Sequence, residues 1–136
     1  MAGTLKLEII TPEAVAFSED VEMVTLPGIE GEMGIFPQHV PLMTQVVPGE
    51  VMLRRNGVDS VLAVGEGFVE ITANRVAIMT DMAIKADEID EAKAEEARQR
   101  AEARLKEKLS EDELAAVNAA LLRSIAQLQV KRRHRK

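Results

Sequence analysis

Apolar and polar positions alternate along the first part of the chain. Leu5, Leu7 and Ile9 are separated by Lys6 and Glu8, a period of two that predicts a strand with one buried face. Val15 and Phe17 fit a second short strand. The β-rich run at 21–26 reads as a third, ending at Pro27-Gly28. Residues 50–55 and 58–64 flank Asn56-Gly57, a strong hairpin signal because both turn positions need positive φ. Residues 67–72 and 75–80 flank Ala73-Asn74, a second hairpin. Many short strands at this spacing predict a β-sandwich or flattened barrel.

The pattern then changes. All eight Gly and all five Pro lie at or before Gly67, and no such punctuation follows. Ala, Glu, Lys and Arg, strong helix formers, dominate 87–109. Asp87 reads as the cap of a first helix, with acids at 88, 90 and 91 suiting its positive end. Ser110-Glu111-Asp112-Glu113 is a capping box that starts a second helix. Its stripe is Leu114, Val117, Leu121, Ile125 and Leu128; the first helix offers Ala94, Ala97, Ala101, Leu105 and Leu109. A connection of two to four residues makes the pair antiparallel. The expected organisation is a β-domain over 1–84 and a helical hairpin over 85–136.

The two stripes are unequal, since Ala buries little area against branched aliphatics. Such a pair is marginal alone. Either it docks on the β-domain, or weak packing lets it open and bind elsewhere.

Composition narrows the chemistry. With no Trp or Tyr and three Phe, the core must come mainly from Val, Ile, Leu and Met. The absence of Cys excludes disulfides and thiolate zinc sites. No apolar run is long enough to span a bilayer, and the first residues do not read as a secretory leader. Net charge is −6, unevenly spread: residues 1–86 carry −7 and residues 87–136 carry +1. After Glu113 there are six bases and no acids. An acidic body with a basic end suggests an acidic protein partner, an internal clamp or nucleic acid. With an acidic body and no aromatic residue after Phe68 for stacking, nucleic-acid binding is not expected.

No nucleophile constellation stands out. His39 and His134 are the only histidines, too few and too far apart for a triad or a metal set. The run Gly28-Ile29-Glu30-Gly31-Glu32-Met33-Gly34 matches neither dinucleotide nor Walker spacing and reads as a turn whose glycines take positive φ. His39, between Pro37 and Pro41, belongs to a constrained exposed loop. The end, Lys131-Arg132-Arg133-His134-Arg135-Lys136, is a basic cluster that also suits a helix C-terminus.

The 13 residues Glu30-Gly31-Glu32-Met33-Gly34-Ile35-Phe36-Pro37-Gln38-His39-Val40-Pro41-Leu42 resemble the signature loop of the ε subunit of bacterial F-type ATP synthase. That family often has Gly where this chain has Gln38. Ile10-Thr11-Pro12, Val21-Glu22-Met23-Val24, Gly67-Phe68-Val69-Glu70, Asn74-Arg75-Val76 and Ile89-Asp90-Glu91-Ala92-Lys93-Ala94 extend the likeness over the whole chain.

The resemblance implies a β-sandwich of about ten strands, a C-terminal helical hairpin and no catalytic residues. It implies a central-stalk subunit bound to γ and resting on the c-subunit ring, with Glu32 and His39 facing the ring. It would lie peripherally at the cytoplasmic face of the bacterial membrane, held by the complex and not inserted. It would couple proton flow to rotation and restrain ATP hydrolysis by opening its hairpin toward acidic segments of the catalytic β (and α) subunits. The expected inhibitory bases are Arg123, Lys131, Arg132, Arg133, Arg135 and Lys136. Some relatives bind ATP at the hairpin. Ile89, Asp90 and Ala94 match that motif, Lys93 replaces an Arg, Arg100 and Arg123 match two further arginines, and Gln127 stands for a third. Ile84 replaces an upstream acid. Loss of the bidentate fork at Lys93 predicts weak or absent ATP binding, with no other cofactor and no metal. The reading from another class is a free-standing nucleotide-sensing or nucleic-acid-binding module.

Overall fold

A computed structural model describes residues 3–134, so Arg135 and Lys136 of the basic cluster lie outside the described residues. Ten strands come first: β1 (Leu5–Ile10), β2 (Val15–Val21), β3 (Met23–Gly28), β4 (Gly31–Ile35), β5 (Leu42–Val46), β6 (Gly49–Arg55), β7 (Val58–Val64), β8 (Gly67–Ile71), β9 (Arg75–Thr80) and β10 (Ala83–Lys85). A 3-10 turn (Ala86–Glu88) leads to α1 (Glu91–Arg104) and α2 (Glu111–Arg133).

One sheet runs β10-β7-β6-β3-β5-β8-β9-β1-β2, with β4 paired beside β3. Only β1 and β9 pair in parallel. A single residue pair, Gly28 with Val46, joins β3 to β5, so the sheet folds there into two layers. Glu22 N–H donates to the Arg54 carbonyl at 2.7 Å, and Arg55 pairs with Glu19. These links bring β2 back to β6 and nearly close the barrel. The expected sandwich is what forms.

Leu5, Leu7 and Ile9 are buried, as their alternation requires, beside Val24, Leu26, Ile35, Leu53, Leu62, Val69, Ile71 and Ile78. Methionine contributes little: Met23 is buried and Met33 packs partly against this cluster, while Met43 and Met79 are exposed. Phe36 and Phe68 are exposed as well, so the core is aliphatic.

Asn56 and Gly57 have φ of 52° and 75°, and Arg55 pairs with Val58 across them, the expected two-residue turn. The Ala73-Asn74 turn forms without positive φ, closed by Thr72 N–H to the Arg75 carbonyl at 2.8 Å. The 21–26 run is not one strand. Val21 ends β2, and β3 begins at Met23 and continues through Pro27-Gly28. Pro27 lacks an N–H, but its carbonyl accepts from Val47 at 2.9 Å. Of the three glycines between 28 and 34, only Gly31 takes positive φ; Gly28 and Gly34 sit inside strands.

The helices start as their caps dictate, with one correction. Asp90, not Asp87, caps α1, accepting from Lys93 N–H at 3.1 Å. Asp87 is drawn into the 3-10 turn because Ile89 is buried against Ala63 and Val130, which delays helix entry. The Ser110–Glu113 capping box forms reciprocally. The Ser110 backbone N–H holds the Glu113 carboxyl below the ordinary carboxylate range, with Ser110's hydroxyl adding to the effect. That support is present at neutral pH and fades as pH falls through the lowered value. The connection between helices is six residues, 105–110, since Lys106 and Glu107 tighten into turns after Arg104. Leu114, in the first turn of α2, is 43% exposed instead of buried.

Candidate functional site

The candidate site is the seam between the hairpin and the β-domain. α1 packs chiefly on α2, and its only buried residues are Ala94 and Ala101. The Ala-thin face expected from the sequence is present. α2 is the element that meets the body, lying over β6 and β7. Its second half is buried on two sides. Val117, Ser124 and Leu128 belong to one stripe, while Ala126 and Val130 form another. Val130 sits with Ala63 of β7 and Ile89, ringed by Val61, Met82, Ile84 and Ala86. This second stripe went unread in the sequence, although Ala126 and Val130 carry a spacing of four that could have shown it. Buried Ser124 satisfies its hydroxyl by donating to the Leu121 carbonyl at 2.8 Å.

Polar contacts follow the same seam. Arg123 donates to Asp81 at 3.0 Å. Gln127 Nε2 lies 3.0 Å from Met82 Sδ, and Lys131 Nζ is 3.4 Å from the Ala86 carbonyl. Arg132 pairs with Glu91 at 3.0 Å. Glu50 accepts from His134 Nε2 at 2.8 Å and from Arg133 at 3.4 Å. Of the three roles open to the basic end, the structure displays the internal clamp. Asp81 and Glu50 were missed by sequence reasoning; each is a lone acid in a strand-rich stretch, with no local signal pointing forward to α2.

The two expected ring-facing residues are not brought together. Glu32 lies near the start of β4 opposite Pro27, exposed, close to Glu50 and Arg133 along a shallow cleft. His39 lies beyond the other end of β4, half-buried, its Nδ1 donating to the Val40 carbonyl at 2.6 Å. Its loop is tied to the β8–β9 turn by Gln38 N–H to the Ala73 carbonyl at 2.6 Å. Gln38 has φ of 70°, a left-handed conformation that costs a non-glycine residue about 1 kcal/mol or more. Gln38→Gly should therefore stabilise the protein by about 0.5 kcal/mol, once glycine's extra chain entropy is deducted. Urea unfolding checks this; a lower midpoint would contradict it.

The residues matched to an ATP motif divide. Lys93, Ala94, Arg123 and Gln127 line a cleft of about 270 Å³ between the helices. Ile89 is instead buried beneath α2, Asp90 is occupied as a helix cap, and Arg100 lies exposed two turns beyond Lys93, outside the cleft. Among the described residues no group of three or more His, Asp or Glu side chains is placed to hold a metal ion, and no helix is long and apolar enough to cross a membrane.

A ten-strand sandwich with a two-helix hairpin held on it by the basic end of α2 defines a β-plus-helix architecture. Residues 4–86 match the ATP synthase delta/epsilon chain β-sandwich domain, and residues 87–132 match the long α-helix domain of the same chain. A protein of Herpetosiphon aurantiacus named ATP synthase epsilon chain is 46% identical over 126 residues, covering 93% of both chains. Proteins of the same name from Desulforamulus reducens and Dehalococcoides mccartyi are 40% and 44% identical over 95% and 97% of this chain, and 98% and 95% of theirs. The fold matches a chain of the mitochondrial ATP synthase of Euglena gracilis with a TM-score of 0.73 at 24% identity, over 93% of this chain and 79% of that one. A chain of the Tetrahymena thermophila central stalk and c-ring matches with a TM-score of 0.63 at 13% identity, over 96% and 98%. The chain belongs to the ATP synthase delta/epsilon chain family, whose bacterial members carry the name ATP synthase epsilon chain. Membership makes it a non-catalytic subunit of a larger enzyme.

Proposed function

We propose that the chain is the rotor-stalk subunit of a proton-translocating F-type ATP synthase, coupling proton flow to ATP synthesis and restraining ATP hydrolysis through its hairpin. The observation that carries this reading is the self-clamped basic end. Arg123, Arg132 and Arg133 each face an acid of the same chain in the docked state. Undocking frees Arg123 and Arg133, and separation of the two helices frees Arg132, for acidic segments of the catalytic β and α subunits. The β-domain would seat on γ and the c-ring, with Glu32 and His39 toward the ring. Both structural neighbours belong to ATP synthase assemblies that include a c-ring, which supports a seat within such an assembly. The protein would then be peripheral, held at the cytoplasmic face of the membrane by the complex.

ATP binding in the inter-helical cleft is weak on this reading. The cleft is smaller than the roughly 300–1,000 Å³ of small-molecule sites. Lys93 offers a point charge in place of a fork, and Arg123 is already committed to Asp81.

Deleting residues 131–136 tests the proposal. In the docked state Arg132 and Arg133 of this stretch make exposed ion pairs, which contribute little. Pairing inside a catalytic head is more enclosed and contributes more. The deletion therefore biases against the extended state. ATP hydrolysis by the assembled enzyme should rise about fivefold, the effect of about 1 kcal/mol on a two-state population. Unchanged hydrolysis would count against the role of these bases.

A further inference from the structure

The connection between β9 and β10 presents one carboxylate to the middle of α2. It is rigidly held: Asp81 N–H donates to the Glu66 carbonyl at 3.2 Å, Gly65 N–H to the Met82 carbonyl at 2.9 Å, and Thr80 Oγ1 to the Met82 carbonyl at 3.2 Å. Asp81 Oδ2 accepts from Arg123 Nη1 at 3.0 Å. Its Oδ1 is buried and has no hydrogen-bond partner. A Cβ on Gly65 would lie 1.7 Å from that Oδ1 and 3.5 Å from Arg123 Cγ. The carboxylate occupies the space a side chain at 65 would fill, and Arg123 closes over the same spot.

We propose that Gly65, Asp81 and Arg123 form a releasable latch that holds the hairpin on the β-domain, with Gly65 as the positioning residue. The inference deepens the regulatory reading above and rests on it for its physiological meaning. Three features separate this pair from the other ion pairs of α2. Arg132 reaches only α1 and so stays within the hairpin. Arg133 and His134 meet Glu50 near the end of α2, where fraying of the last turn loosens the contact. Arg123 makes the ion pair that ties the helix midpoint to the body, beside Ser124 and Ala126, where side chains are buried. The orphaned Oδ1 makes the latch releasable. A buried acceptor without a partner is penalised, and undocking returns it to water. The same pair thus opposes undocking through Oδ2 and favours it through Oδ1. Release also supplies a free guanidinium, the group suited to an acidic partner.

Amide hydrogen exchange across residues 124–130 of the full chain measures docking directly. Asp81→Ala should speed exchange there about tenfold, the loss expected for a charge-assisted hydrogen bond, with β-domain protection retained. Gly65→Ala should do the same by displacing the carboxylate. The Asp81→Ala/Gly65→Ala double variant should be no faster than Asp81→Ala alone, because Gly65 acts through Asp81. The swap Asp81→Arg/Arg123→Asp should recover slow exchange in part, which a purely structural role for either residue would not give. Exchange within twofold of wild type in Asp81→Ala would overturn the latch, and additive single effects would overturn the role of Gly65. The readout is docking in the isolated chain, whereas the regulatory reading is tested by ATP hydrolysis in the assembly. Either can fail while the other stands.

Discussion

Gly67→Ala is expected to destabilise the β-domain by about 3 kcal/mol or more, enough to remove much of the roughly 5–15 kcal/mol that holds a domain of this size. Gly67 begins β8 and is paired on both sides, with Val46 of β5 and with Thr80 of β9. An added Cβ would lie 1.8 Å from the Met79 carbonyl oxygen, 2.8 Å from its carbon and 2.9 Å from Thr80 Cα. All three are backbone atoms inside a ladder, so relief requires moving β9 against β8 and β1 together. Contrast Gly65, where the obstructing atom is a side-chain carboxylate that can swing away. Gly65→Ala should therefore leave the urea midpoint of the β-domain nearly unchanged while altering hairpin docking. Equal losses of stability in the two variants would refute the distinction. The comparison also gives a physical reason for the glycine in the family-like run Gly67-Phe68-Val69-Glu70.

What could be read from the sequence was whatever is decided by neighbours along the chain. Asn56-Gly57 was legible because positive φ at two successive positions is a local demand. The buried side of β1 was legible because alternation at Leu5, Leu7 and Ile9 has one solution. The capping box at Ser110 was legible for the same reason. The misreadings share a different cause. Asp87 and Asp90 are both acids before a helical stretch, and the choice between them rests on Ile89 being buried beneath Val130, 41 positions later. Leu114 continues an apolar rhythm, but rhythm says nothing about whether a neighbour covers the position. The break at Glu22 depends on its N–H turning to Arg54, a closure contact between distant strands.

The candidate site divides the same way. The basic end and the Ala-faced α1 are local, so both were visible. Their partners, Asp81 and Glu50, were not, because each is a single carboxylate whose meaning arises only when α2 crosses β6 and β7. Gln38 shows the converse. The family-like loop has Gln at a position often held by Gly, and only the backbone angle of 70° shows why Gly suits it.

The second large effect concerns the seat of the hairpin, and its sign is opposite to that of trimming the basic end. Ala63→Asp should drive the hairpin off the β-domain and, on the function proposed above, deepen inhibition of ATP hydrolysis. Ala63 is fully buried on β7 under Ile89 and Val130, an apolar contact with no cation in the cluster to compensate a charge. Confining a carboxylate there costs several kcal/mol, and undocking relieves that cost by exposing the position to water. A bias of about 4 kcal/mol moves a two-state population roughly a thousandfold, so the docked form becomes the minor one. Ala63 belongs to the body and not to the lever, so the substitution leaves every base of α2 available to a partner. Limited proteolysis should then cut the hairpin at its arginines much faster, with the β-domain persisting as a resistant core. The assembled enzyme should hydrolyse ATP more slowly, and deletion of 131–136 in the same background should restore much of the loss. Faster hydrolysis in Ala63→Asp, with the hairpin demonstrably released, would mean that the docked hairpin is the inhibitory form.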